Sequence, residues 1–147
     1  MKPYLLPALL LASFLFSGCK EKENTPGLCI TTPTPRVELI SWPSGLSVDS
    51  TWTVPRSSIL LYASAVADQA SSPSAARLTT VNTRIVVQGN DSLLYARNYY
   101  PQSPGTYFED TASIGAISAN VLARLSITAN NECGYSDAAV RKLRITP

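Results

Sequence analysis

The chain contains no histidine, the side chain that most often acts as a general base near neutral pH. This absence excludes Ser-His-Asp and Cys-His catalytic arrangements. Cysteine is also scarce, with three residues in 147, and their spacing does not suit a zinc site. From these absences we expect a protein that is not an enzyme and that holds no metal and no cofactor.

Charge is scarce as well. Charged residues make up 15% of the chain, and the formal net charge at pH 7 is +2. A chain so close to neutral offers no electrostatic basis for binding nucleic acid or an anionic membrane surface. We therefore expect no nucleic-acid partner.

The few carboxylates are candidates for catalytic or calcium-binding groups. Glu109 and Asp110 are candidates for the acid pair of a glycoside hydrolase. Adjacent residues of a strand point to opposite faces, however, so a solvated loop end is the favoured interpretation. Asp68, Asp91 and Asp110 are candidate calcium ligands, but the sequence has no D-x-D-x-D-G loop.

One long hydrophobic run is present, "LLPALLLASFLF" at residues 5–16. Its length is typical of a signal peptide and too short to span a bilayer. Ser17 and Gly18 follow, and then Cys19. This junction resembles the bacterial lipoprotein signal, in which cleavage before the cysteine is coupled to diacylglycerol attachment, although Phe16 replaces the usual leucine. The alternative is an ordinary secretory signal followed by a chance cysteine.

The segment after Cys19 begins with "KEKEN", which has no apolar residue. It resembles the surface-export signal of some Gram-negative lipoproteins, and the alternative is a plain hydrophilic spacer. Proline and threonine then predominate, which favours an extended chain. We predict a signal peptide at 1–18, a lipidated cysteine and flexible tether at 19–35, and a folded domain at 36–147. The resemblance implies a lipid anchor in the outer membrane, with the domain facing the cell exterior.

Short strand patterns recur through the folded part, and helical signals are thin. The clearest strand has Ala123, Leu125 and Ile127 on one face. Gly89, Asn90 and Asp91 predict a tight hairpin between two strands. The pattern predicts an all-β antiparallel sandwich of about seven strands, at residues 36–41, 51–54, 57–68, 83–88, 92–97, 120–129 and 138–146. The apolar strand at 57–68 is expected to be central and covered on both faces.

Three stretches together resemble an immunoglobulin-like domain of bacterial surface proteins, of the broad class that includes PKD repeats. They are "ILLYASAVAD", "VNTRIVVQGNDSLLYAR" and "VLARLSITANNECGYSDAAVRKLRI". The resemblance covers roughly residues 57–146. It implies a sandwich that serves as a spacer or binding module, although fold alone assigns no activity.

With Cys19 assigned to lipid, Cys29 and Cys133 remain as a pair in an oxidising compartment. They can meet if the first strand lies near the last one. We predict an intramolecular disulfide between them. An intermolecular bond or two free thiols are the alternatives.

Residues 97–110 carry several aromatic side chains among Asn, Ser, Pro and Gly. Such a mixture suits a recognition loop for a protein or a sugar ligand. We predict that Tyr99 and Tyr100 are its exposed, binding part, and that Tyr107 and Phe108 anchor it to the core. The alternative is that the aromatic rings cover one end of the core.

Two classes of function follow for the whole protein. In the first, it is a surface-exposed, non-catalytic binding or adhesive module for a protein or glycan ligand. In the second, it is a structural lipoprotein that docks into an envelope complex.

Trp42 and Trp52 are expected to cover the core rather than to serve as ligand platforms.

Lipidation of Cys19 is directly testable. Cys19→Ser should remove the acyl chains and release the protein from the detergent phase of a Triton X-114 extract, because no lipid then holds the protein in the membrane. Mass spectrometry of the mature N-terminus provides the second measurement. A variant that stays in the detergent phase and keeps residues 1–18 contradicts the lipoprotein interpretation.

Overall fold

A computed structural model describes residues 34–66, 77–100 and 105–147 of the chain. These residues form eight β-strands and no helix, and so none of them makes an apolar helix that could cross a membrane. The strands are β1 (Arg36–Leu39), β2 (Thr51–Pro55), β3 (Ile59–Ala65), β4 (Leu78–Val87), β5 (Leu93–Tyr99), β6 (Tyr107–Ser113), β7 (Val121–Asn131) and β8 (Ser136–Thr146).

The strands form two sheets. One has three strands in the order β1-β3-β6, and the other has five in the order β2-β8-β7-β4-β5. Neighbouring strands are antiparallel except β2 and β8, which are parallel. The predicted all-β sandwich is therefore confirmed, but the larger sheet is mixed. The immunoglobulin-like topology remains a prediction.

Strand β7 shows how the sequence pattern makes this fold. Its alternate residues Ala123, Leu125 and Ile127 are fully buried. The residues between them, such as Arg124, face outward. Because side chains alternate across a strand, one face of β7 enters the core while the other faces solvent.

The core lies between the two sheets and takes side chains from both. Leu60 and Tyr62 of β3 belong to the same buried cluster as Ile85, Leu125 and Leu143 of the larger sheet. Sheets that pack face to face in this way bury one side of each strand. Removal of these apolar side chains from water is the main stabilising contribution to the fold.

The hairpin between β4 and β5 forms where it was predicted. Gly89 and Asp91 have positive φ angles of 101° and 54°. The Asp91 amide donates to the Val87 carbonyl at 3.1 Å, and the Asn90 side chain accepts from the Ser92 amide. Asp91, rather than Asn90, therefore takes the left-handed conformation together with Gly89.

The predicted loop over residues 97–110 is wrong in extent. Strand β5 runs to Tyr99, and β6 begins at Tyr107, which leaves only a short connection between them. Strand β6 is the one described strand that is absent from the predicted seven, because its polar and aromatic residues resemble a recognition loop. Pairing with β3, from Tyr107 opposite Ala65 to Ser113 opposite Ile59, decides its conformation.

The prediction for the strand at 57–68 is half right. Strand β3 is central in its sheet. Its outer face is not covered by another described element, and Ile59 on that face is 64% exposed. Apolar residues on both faces of β3 therefore do not mark a strand buried on both sides.

Trp42 and Trp52 pack against the core and against each other. Their rings meet edge to face with centroids 5.9 Å apart. The Trp42 indole N–H donates to the Leu46 carbonyl, and the Arg141 guanidinium lies 5.5 Å from the Trp42 ring. This cation–π contact explains how a charged residue occupies the inner phase of β8.

Strand β7 provides a matched test of the core. Leu125→Ala should lower the free energy of unfolding by about 2–5 kcal/mol, because it leaves a cavity in a fully buried site. Leu122→Ala, on the exposed face of the same strand, should change it by about 0.5 kcal/mol or less. Urea denaturation followed by fluorescence measures both values. Equal losses in the two variants would contradict the assignment of the two faces.

Candidate binding site

The two tyrosines predicted to bind a ligand lie on opposite sides of the chain. Tyr100 is 65% exposed, just beyond the end of β5. Tyr99 is half-buried, and its ring stacks on Phe108 with centroids 4.1 Å apart. Adjacent residues of an extended chain point in opposite directions, which separates the pair. The expected exposed position is therefore correct for Tyr100 and wrong for Tyr99.

The two expected anchors also separate. Phe108 packs against the core and lies 6.2 Å from the ring of Tyr62. Tyr107 is 45% exposed, and its hydroxyl donates to Glu109 Oε2 at 2.5 Å. Since Tyr107 and Phe108 are consecutive in β6, only one of them can face inward. Phe108 is the anchor, and Tyr107 joins the exposed surface.

Strands β5 and β6 are edge strands of different sheets, and side chains join them along one side of the sandwich. We call this line of contacts the seam. Arg97 Nη1 lies 2.5 Å from Asp110 Oδ2. The Tyr95 hydroxyl donates to the Thr111 carbonyl at 3.1 Å. With the stack of Tyr99 on Phe108, these contacts cover the open side of the core.

Asp110 is therefore not the solvated loop end that the sequence suggested. Its side chain is 17% exposed and is paired with Arg97. Glu109, one position earlier in β6, points to the outer face. The two carboxylates cannot face one substrate, because they stand on opposite sides of the strand.

Tyr62 is a buried polar group behind the seam. Its side chain is 1% exposed, and this burial raises the pKa of its phenol, while the Thr83 hydroxyl opposes the rise. The Asp110 carboxylate adds to the rise, since it disfavours a second negative charge nearby. Tyr62 is therefore neutral at physiological pH.

No group of three metal-binding side chains converges within residues 34–66, 77–100 and 105–147. Of the calcium candidates, Asp91 lies in the β4–β5 turn and Asp110 lies in the seam, so the structure does not bring them together. Asp68 lies outside the described residues.

Of the three cysteines, Cys133 alone lies in the described part of the chain. It occupies the turn between β7 and β8, where its amide donates to Asn131 Oδ1 at 3.1 Å. Cys19 and Cys29 lie outside the described residues, so the disulfide between Cys29 and Cys133 and the lipidation of Cys19 stay predictions.

A surface that the sequence did not predict lies on the outer side of the larger sheet. Arg84 of β4, Arg124 of β7, and Lys142 and Arg144 of β8 all point outward and are exposed. We call these four residues the cationic face. None of them forms an ion pair or a side-chain hydrogen bond with another described residue. Two adjoining hollows, of about 220 and 280 Å³, open beside Arg124.

The near-zero net charge concealed this face, because acidic residues lie elsewhere. Glu38 and Glu109 flank Ala63 on the outer face of the smaller sheet. The alternation around Arg124 in the sequence was the one available signal. Which strands lie beside it, and in which register, is not visible in a single sequence.

No family model matches the chain, and no curated protein matches it. Three solved structures resemble it. One is a superoxide reductase (neelaredoxin) from Ignicoccus hospitalis, with 11% identity, a TM-score of 0.44, and coverage of 78% of this chain and 81% of that one. The other two are single-substitution variants of the same protein, at 10% and 11% identity, each with a TM-score of 0.42. One covers 78% of this chain and 81% of that one, and the other 79% and 82%.

This comparison overturns the expectation that the chain is not an enzyme, because all three similar structures are named as enzymes. The absence of histidine excludes particular catalytic arrangements, not catalysis in general. A likeness of this degree assigns no reaction to the present chain.

The aromatic residues at the seam provide a test. Phe108→Ala should lower the free energy of unfolding by roughly 2–3 kcal/mol, because it removes the stack with Tyr99. The loss is smaller than for a fully buried ring, since Phe108 is only partly buried. Tyr100→Ala should change it by about 0.5 kcal/mol or less. Thermal melts followed by circular dichroism compare the two. A larger loss in the Tyr100 variant contradicts this placement.

Proposed function

We propose that this chain is a lipid-anchored envelope protein whose β-sandwich is displayed outside the outer membrane as a binding module. The observation that carries the proposal is the junction at residues 14–24, where an apolar run ends at Ser17-Gly18-Cys19 and a charged segment follows at once. A cysteine placed at a signal-peptide cleavage site gives a lipid anchor, and several acyl chains make membrane retention stable.

The exposed surfaces of the sandwich support a binding role. Tyr100 and Tyr107 offer two accessible aromatic rings at the β5–β6 side. Rings of this kind contribute large contact area with little loss of conformational entropy. The sandwich itself is rigid enough to hold such side chains in place, since both sheets share one packed core.

The disulfide that the sequence predicts at Cys133 agrees with an envelope location. Disulfides persist in oxidising compartments. The chain has only two other cysteines, and if Cys19 carries lipid, Cys29 is the one available partner for Cys133. The Val37 amide donates to Asp137 Oδ2 at 2.9 Å, which places the start of β1 beside the start of β8. About eight residues separate Cys29 from Val37, a length that can span at most about 29 Å.

Docking into an envelope complex is the second candidate, and one observation favours it. Ile59 is 64% exposed on the outer face of the smaller sheet, where Tyr107 is also exposed. Apolar side chains on an uncovered sheet face are common at protein interfaces. Crosslinking in intact cells, followed by mass spectrometry, should recover a partner at this face if docking is the main role.

Display at the cell surface has its own test. Protease added to intact cells should digest the folded domain, because a surface lipoprotein is accessible without lysis. A periplasmic protein of the same cells serves as the control and should stay intact. Protection of this protein in intact cells, lost after outer-membrane lysis, would place the domain on the inner side.

A further inference from the structure

The cationic face has the geometry of a binding site for an anionic chain. Arg124 stands directly opposite Lys142 on β8. On β4, Arg84 stands opposite Ser126, two residues along β7 from Arg124. Neighbouring strands are about 4.8 Å apart, so the three cations form a diagonal row across the sheet. Arg144 extends the row along β8.

The arrangement is unfavourable without a ligand. Like charges directly opposite each other on paired strands destabilise a sheet. Arg124 and Lys142 are such a pair, and no acidic side chain of the described residues pairs with either. Asp91 borders the hollows beside Arg124 but forms no ion pair with it. A bound anion would remove this repulsion.

The surroundings of the cations favour sugar as the ligand's backbone. Ser126 lines one hollow beside Arg84 and Arg124, and Thr128 and Asn130 continue along the same face of β7. Hydroxyl and amide groups of this kind donate to and accept from sugar hydroxyls. Strands β4, β7 and β8 present no aromatic ring on this face, and the exposed ring of Tyr100 lies beyond the end of β5. The cations are therefore not flanked by a stacking platform for nucleic-acid bases.

The position of the face also separates it from the anchoring membrane. The chain enters the domain at Arg36, and the contact of Val37 with Asp137 places this entry beside the start of β8. Arg144 lies near the opposite end of β8, and Arg124 lies near the corresponding end of β7. In a protein tethered through its N-terminus, the cations therefore lie toward the end away from the tether.

From these observations we propose that the cationic face binds an acidic polysaccharide, a hydroxyl-rich chain bearing regularly placed carboxylate or sulfate groups. The guanidinium groups of Arg84 and Arg124 hold two anionic groups through charge-assisted hydrogen bonds. Ser126 contacts the sugar between them. This proposal rests on the proposed binding role and names the class of ligand that the module binds.

The test uses the mature lipidated protein in a non-ionic detergent, titrated with polygalacturonate by calorimetry. Dextran is the neutral control. Arg84→Gln combined with Arg124→Gln should weaken binding roughly tenfold or more, because two charge-assisted contacts are lost. Arg36→Gln combined with Arg56→Gln removes the same charge from exposed sites elsewhere, and it should leave the affinity within about twofold. Binding should weaken as salt is raised.

Thermal melting supplies a readout of folding. Without ligand, the Arg84/Arg124 variant should melt no lower than the wild type, because it relieves the repulsion with Lys142. Polygalacturonate should raise the melting temperature of the wild type only. If the melting temperature of the double variant is lower than that of the wild type, the affinity of Lys142→Gln for polygalacturonate is compared with that of the wild type instead.

Three results would overturn the proposal: equal binding of dextran, equal weakening in the two double variants, or tighter binding to duplex DNA or to phosphatidylglycerol vesicles than to polygalacturonate. These outcomes are separate from the protease experiment on intact cells. If external protease digests the domain but polygalacturonate does not bind, surface display stands and the ligand class is wrong.

Discussion

The structure depends on a single apolar layer between two sheets of unequal width. Leu60 and Tyr62 from the narrow sheet meet Ile85, Leu125 and Leu143 from the wide one in this layer. Each strand contributes alternate residues, so its other face is free to carry polar and charged groups. The seam, the exposed tyrosines and the cationic face all exist because this layer holds their strands in position.

The narrow sheet makes closure of the core a problem that side chains solve. Strands β5 and β6 are edges of different sheets and do not pair with each other. The ion pair of Arg97 with Asp110 and the stack of Tyr99 on Phe108 bridge them instead. Residues that looked in the sequence like parts of a recognition loop therefore serve largely to close the sandwich. Among the described aromatic residues of this side, Tyr100 and Tyr107 remain exposed.

Much of the fold was predictable because strand patterns are local. The alternation in β7, the turn at Gly89 and the tryptophans against the core all agree with the sequence. Strand β6 was missed because a strand with polar residues on one face and aromatic residues among them has no distinctive period. Its conformation comes from pairing with β3, a contact between distant parts of the chain.

Local patterns account for the all-β class, the buried face of each main strand, and the hypothesis of a lipid anchor at Cys19, because each of these depends on residues that are close together in the sequence. The tertiary structure decided which strands are adjacent. It made β2 parallel to β8, paired Arg97 with Asp110, and gathered Arg84, Arg124 and Lys142 on one face. These outcomes depend on pairing partners and register, which are set by burial of the whole core and not by any local segment.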